Sequence, residues 1–310
     1  MKEVAALRRG DLIRVSERLT VEELVERFLD LHEVDPATTR TLQARLKHAT
    51  REFGDRRPDE LSRIDLEVWR RSLAPGVRHY AFRSFRQALT WAVARNLAER
   101  NPSEGIRNPK RKRHERRPVL PFETWEQVDA VAAEIDRRYR AIPAFAVGTG
   151  LRPEEWIGLH RADVDREAGV VHVRRGYTQG VVKDGGKTDG SVRAVTLRQR
   201  VLEALDAMPP RIDTPILFPA PRGGYIDLEK FRYREWTPAV RTAGLEHRRV
   251  YESRHTFATW AIEGGMSLIL LARIMGTSVR ELEDTYFRWL ERTDEQVRGL
   301  LDEYDAAVSQ

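Results

Sequence analysis

The 310-residue chain contains no cysteine. That absence excludes disulfides, thiolate metal sites and a cysteine nucleophile, and it fits a reducing compartment. No apolar run approaches the roughly 20 residues needed to cross a bilayer. Met1 to Gly10 carries charges where a signal peptide needs an apolar core. No internal repeat is visible. Asp163 and Asp165 are the pair that would suggest a metal-dependent nuclease, but the ligand spacings of a metal site are missing around them. The expectation is a soluble cytoplasmic protein with no membrane partner, no metal and no cofactor.

What is abundant is charge. Lys and Arg number 54 against 48 Asp and Glu, a formal +6 with an isoelectric point near 9.7. This balance leans toward a polyanionic partner, although charge alone leaves nucleic acid at even odds. The length favours two domains and allows a substantial core.

Taken in order, residues 1–16 form a charged tail. Thr20 and Glu23 have the spacing of a capping box, and Val21, Leu24, Val25, Phe28 and Leu31 follow on one helical face. A second helix starts near Pro36, carries Leu42, Leu46 and Ala49, and ends near Gly54. A third runs from Ile64 to Leu73. A fourth, from Val77, puts Tyr80, Ala81, Phe85, Ala88, Leu89, Ala92 and Val93 inward and Arg78, Arg83, Arg86 and Arg95 outward. Residues 17–106 thus read as a helical domain with basic outer faces. Arg107, Lys110, Arg111, Lys112, Arg113, Arg116 and Arg117 then fall within eleven positions. This composition cannot build a core, so residues 107–119 read as an exposed linker, either a plain tether or a strap lying along phosphates.

Residues 120–310 form the second domain. Helices are expected over Thr124–Arg138 and Tyr139–Val147, and from Pro153, Arg198–Ala207, Leu228–Ala243 and Arg254. Val170–Val173 and Val192–Leu197 are β-rich and flank a glycine-rich reversal from Lys183 to Gly190, which reads as a small antiparallel sheet. The fold class is therefore mainly α with a small antiparallel β-sheet (α+β).

Arg152, Lys187, Arg254 and Tyr286 together hold the parts of a metal-free attack on a phosphodiester. A phenol must lose its proton in place. Guanidinium forks match the negative charge on the non-bridging oxygens, and the departing oxygen needs a proton from an acid. Each residue alone has a blander reading: Tyr286 as a core aromatic, Lys187 as a solvated turn residue, Arg152 as a surface charge. Their joint order carries the catalytic one.

In that order the sequence resembles the tyrosine recombinase (phage integrase) family. Thr149-Gly150-Leu151-Arg152-Pro153-Glu154-Glu155 through Leu159 looks like its first arginine box. Lys187-Thr188 followed by Arg193 is similar to its β-hairpin lysine segment. Arg254-His255-Thr256-Phe257-Ala258-Thr259 resembles its second box, and Met275-Gly276-Thr277-Ser278 with Thr285-Tyr286 resembles its turn and terminal tyrosine. The likeness covers residues 120–290; the N-terminal part resembles the family's core-binding domain by length and pattern only. What it implies is site-specific exchange of DNA strands through a 3′-phosphotyrosine. Tyr286 is then the nucleophile, Arg152 and Arg254 are the phosphate clamps, and Lys187 is the general acid. His255 is a supporting residue. Lys110, Arg111, Lys112, Arg113, Arg78 and Arg86 are the DNA-binding candidates. The implied partners are double-stranded DNA and, on synapsed sites, a homotetramer. The free protein is expected as a monomer or weak dimer, with accessory proteins a further class of partner. Leu290 to Val308, carrying Val297, Leu300, Leu301 and Tyr304, is the segment matching the helix that docks on a neighbour.

Two positions depart from the family pattern. Tyr251 stands where a histidine precedes the second arginine by three residues, and Thr277 stands where His or Trp follows the turn glycine. Both can donate a hydrogen bond, but neither is a good base near neutral pH. They motivate a second expectation, a DNA-binding relative with weak or lost catalysis. A third is a topoisomerase of type IB character, with the same chemistry and no partner exchange.

Overall fold

The computed structural model describes residues 19–109, 118–185, 192–209 and 211–290, with 298, 299 and 302. Lys187, the strap from Lys110 to Arg113, the 1–16 tail, and Val297, Leu300, Leu301 and Tyr304 lie outside the described residues. The chain divides into two compact units, Met1–Arg117 and Pro118–Gln310.

In the first unit α1 spans Val21–Leu31, α2 Pro36–Phe53, α3 Arg63–Ser72 and α4 Pro75–Val93. α1 begins at a reciprocal capping box: the Glu23 amide donates to Thr20 Oγ1 (3.3 Å) and the Thr20 amide to Glu23 Oε2 (2.8 Å). Ser62 and Asp65 repeat the device at α3. The apolar faces close around aromatic edges, Phe53 on Trp69 at 5.5 Å and Trp69 on Phe85 at 5.6 Å.

Two expectations for α4 change. Tyr80 is 49% exposed rather than buried, because it shares a face with exposed Arg83 and Gln87, three and seven residues on. The Arg45 guanidinium covers its ring at 4.8 Å. Arg86 turns partly inward instead, its guanidinium 4.9 Å from the ring of Phe82, one turn back.

The second unit contains α5 (Trp125–Glu134), α6 (Ala141–Thr149), α7 (Pro153–Ile157), β1 (Val164–Asp165), β2 (Val170–Val173), β3 (Arg175–Thr178), β4 (Val181–Asp184) and β5 (Arg193–Thr196). These are followed by α8 (Gln199–Asp206), α9 (Leu228–Phe231), α10 (Thr237–Thr242), α11 (Glu252–Glu263), α12 (Leu268–Met275) and α13 (Val279–Leu290). Every residue of α6 is buried, so it forms the middle of the core, packed with Phe122, Trp156, Phe218 and Trp236. β1, β2 and β5 form an antiparallel sheet, with Val171 opposite Val195.

Between β2 and β5 the chain adds a separate two-stranded hairpin, β3 with β4, which the sequence reading merges into the glycine-rich reversal. Neither strand is buried on one face, so neither shows the apolar alternation by which strands are read. The expected helix from Leu228 to Ala243 is interrupted by a π turn over Arg232–Trp236. Pro238 has no N–H to offer the preceding turn, and the Thr237 amide bonds back to the Arg232 carbonyl. Among the described residues no helix is long and apolar enough to cross a membrane.

Candidate active site

The site is assembled where α6 hands over to α7. α6 ends at Gly150, whose φ of +65° is the left-handed cap that glycine adopts without penalty. A β-carbon there would sit 2.4 Å from the Phe257 ring, so the turn lies flat on α11. This brings the Gly150 carbonyl to Arg254, whose Nη1 donates to it at 2.8 Å.

Arg152 follows the turn and caps α7. Its amide donates to Glu155 Oε2 (2.8 Å) and its Nη1 to Glu155 Oε1 (2.9 Å). The same carboxylate accepts Arg193 Nη1 at 3.1 Å and Nη2 at 2.9 Å from the start of β5. One buried carboxylate thus orients two guanidinium groups. Burial raises the Glu155 carboxyl, but Arg193 and Arg152 outweigh it and hold it below its ordinary range. Burial pulls Arg152 down, while Glu155 more than reverses this and leaves it raised.

Three arginines then meet the end of α12. Arg193 Nε donates to the Ile274 carbonyl (2.6 Å), Arg254 Nη2 to Met275 (2.9 Å) and Arg152 Nη2 to Gly276 (2.8 Å). Carbonyls in the last turn of a helix have no intrahelical donor and carry the negative end of its dipole, so three successive cations are well placed there. Gly276, at φ +61°, ends α12 and turns the chain toward α13. Burial and the neighbouring Arg152 lower Arg254, which is 4% exposed, but a guanidinium keeps its charge.

Tyr286 returns on α13. Its backbone leaves helical geometry (φ −113°, ψ 17°), its ring is 3% exposed, and its Oη lies 2.7 Å from His255 Nδ1. His255 adjoins Arg254 on α11, so the phenol and one guanidinium are held by consecutive residues. Burial lowers His255 to about 4, leaving a neutral ring at pH 7. Burial raises the Tyr286 phenol, and the positive Arg254 only partly offsets it.

Tyr251 lies at the start of α11, 37% exposed, with its ring edge-on to His255 at 5.2 Å. The Thr277 hydroxyl donates to Glu281 Oε2 at 2.8 Å. Arg78 donates to the carbonyls of Leu73 and Arg71, and Arg86 to those of Ser103 and Ile106. Among the described residues no cluster of three or more His, Asp or Glu side chains is arranged to hold a metal.

The structure thus brings Arg152, Arg254, His255, Tyr286, Tyr251 and Thr277 into one region of the second unit. Sequence reasoning included Glu155 and Arg193 in the motifs but gave neither a role in the site. Glu155 carries a signal, a carboxylate three residues after a helix-starting Arg152. Arg193 carries none beyond its place in the lysine segment, since its partners at Glu155 and Ile274 are 38 and 81 positions away.

The family model described as the Phage integrase family matches residues 120–289, more than half of the chain. The prophage integrase IntR of Escherichia coli K12 is 27% identical over 239 residues, 68% of this chain and 57% of that protein. The chain therefore spans little more than half of IntR. The tyrosine recombinase XerC of Corynebacterium efficiens is 26% identical over 290 residues, 89% of each chain. Among solved structures, the Tn1549 transposon integrase in complex with a circular-intermediate DNA superposes with a TM-score of 0.74, covering 92% of this chain and 99% of that one. At 19% identity it shows a shared fold. This chain belongs to the phage integrase family.

Proposed function

We propose that the protein is a site-specific tyrosine recombinase that cuts and rejoins duplex DNA through Tyr286. The phenolic oxygen attacks a backbone phosphorus and forms a 3′-phosphotyrosine, while the bond to the 5′ oxygen breaks. Lys187 gives that oxygen its proton. Arg152 and Arg254 hold the non-bridging oxygens; each guanidinium has five N–H groups, more than its anchoring contacts use. The covalent link keeps the bond energy for rejoining, so neither ATP nor a metal is needed. The substrate is double-stranded DNA, synapsed by a homotetramer in the cytoplasm, and the basic strap Lys110–Arg113 tracks its phosphates.

The observation that carries this reading is the adjacency of Arg254, which reaches the Gly150–Arg152 turn, and His255, which holds the Tyr286 hydroxyl. The test is a covalent adduct on a nicked suicide substrate, resolved on a denaturing gel. Wild type forms it, and Tyr286→Phe does not. Equal adduct from both would remove Tyr286 from the role.

One observation favours a second reading, a relative that binds DNA without turnover: the Thr277 hydroxyl is bonded to Glu281. It predicts salt-sensitive binding with no adduct from wild type.

A further inference from the structure

The reaction requires that the Tyr286 proton go somewhere, and the residue types that usually receive it are missing. Tyr251, in place of the expected histidine, and Thr277, in place of the expected His or Trp, carry hydroxyls that are not bases near neutral pH. Tyr286 is 3% exposed, so bulk water is not at hand. Its hydroxyl is instead 2.7 Å from a ring nitrogen, Nδ1 of His255. We infer that His255 is the proton acceptor for Tyr286, taking over at the position after Arg254 the task for which this chain has no histidine at position 251.

The geometry supports this in three ways. The contact falls within the distance at which a general base must stand from the proton it removes. For the phenol to donate to Nδ1, the neutral imidazole carries its own proton on Nε2, which leaves the Nδ1 lone pair directed at the hydroxyl. The imidazolium that forms is favoured by the carboxylate of Glu252, which is 1% exposed and accepts from Arg249 at 2.7 Å, and opposed by the positive charges of Arg249 and Arg254. In the DNA-free chain the proton stays on the phenol, since burial disfavours both charged forms. Transfer belongs to the bond-forming step. As the phenolic oxygen bonds to phosphorus its basicity falls and the O–H proton passes to Nδ1. The P–O5′ bond breaks, and the 5′ oxygen takes a proton from the acid. On rejoining, the same imidazolium returns the proton to the departing phenolate.

This inference rests on Tyr286 as nucleophile, and the test separates the two. In the full-length protein, His255→Gln and His255→Asn keep a side chain that can accept a hydrogen bond but cannot take up the proton. Either folded variant, checked by melting temperature and DNA binding, is expected to form the adduct about 10²–10⁴-fold more slowly than wild type. Replacing Tyr286 in that variant by 3,5-difluorotyrosine, whose phenol ionises more readily, is expected to recover about tenfold or more of the lost rate. A wild-type rate in a folded variant, or a slow variant that the fluorinated phenol does not help, overturns the role and leaves Tyr286 in place. No adduct from wild type, or an undiminished adduct from Tyr286→Phe, overturns both.

Discussion

Two pairs of arginines, one in each unit, make the same kind of contact for different ends. Arg78 and Arg86 in the helical unit reach carbonyls 5 to 20 positions away. They close the chain after α3 and brace the segment after α4. Arg152 and Arg254 in the second unit also donate to carbonyls, but across 124 positions to Gly276 and 104 to Gly150. A guanidinium that bridges near neighbours stabilises a helix end. One that bridges distant loops decides where those loops sit, and so where a phosphate would be gripped.

The comparison breaks most visibly at Arg254. Arg254→Ala removes a proposed clamp, and the adduct rate is expected to fall about 10²–10³-fold. It also leaves the Gly150 and Met275 carbonyls without this donor, costing about 1–3 kcal/mol each way such a buried group is orphaned, read by urea unfolding. A variant that lost rate with no change in stability would show that the loops hold their places without it.

Glu155→Gln sharpens the same contrast. Removing the one carboxylate shared by Arg152 and Arg193 leaves buried positive charge uncompensated, at a cost of about 3 kcal/mol at pH 7. The folded-state value of Glu155 is depressed, so its contribution is complete above the ordinary 4.5 and disappears as pH falls through the lower folded value. The stability gap between wild type and variant should therefore close in acid. A gap that stayed constant down to pH 3 would mean the carboxylate's charge is not what matters.

Arg86→Ala should have the smallest effect, about 1–2 kcal/mol from the unpaired Ile106 carbonyl, since the Ser103 carbonyl still accepts the Ile106 amide, with an unchanged salt dependence of DNA binding. A flatter salt slope would place Arg86 on phosphates instead.

The legible parts of the molecule are those encoded within a few residues. The Thr20–Glu23 cap, the α2 start at Pro36 and the apolar stripe of α1 from Val21 to Phe28 depend on local spacing, and they stand in the structure at those residues, whereas Leu31 at the end of the stripe is exposed. The β3–β4 hairpin was hidden because its strands bury no continuous face, and Tyr80 and Arg86 exchanged sides because the helical phase of α4 is set by what it packs against. In the site, the order of Gly150, Arg152, Arg254, Gly276 and Tyr286 along the chain was readable. The meeting of Glu155 with Arg193 was not, since the two lie 38 positions apart and no local pattern names either as the other's partner.

By itself the sequence determined the starts of α1 and α2, the mainly α character with a little antiparallel sheet, and the residue types able to carry phosphoryl chemistry, because these depend on local backbone preferences and side-chain functional groups. Only the tertiary structure decided that Arg193, Arg254 and Arg152 close on three consecutive carbonyls, and that the Tyr286 hydroxyl is held by His255. Those contacts arise from seating α11 on the buried α6 and packing α12 against α11 and α13, and packing of that kind joins residues that no local pattern relates.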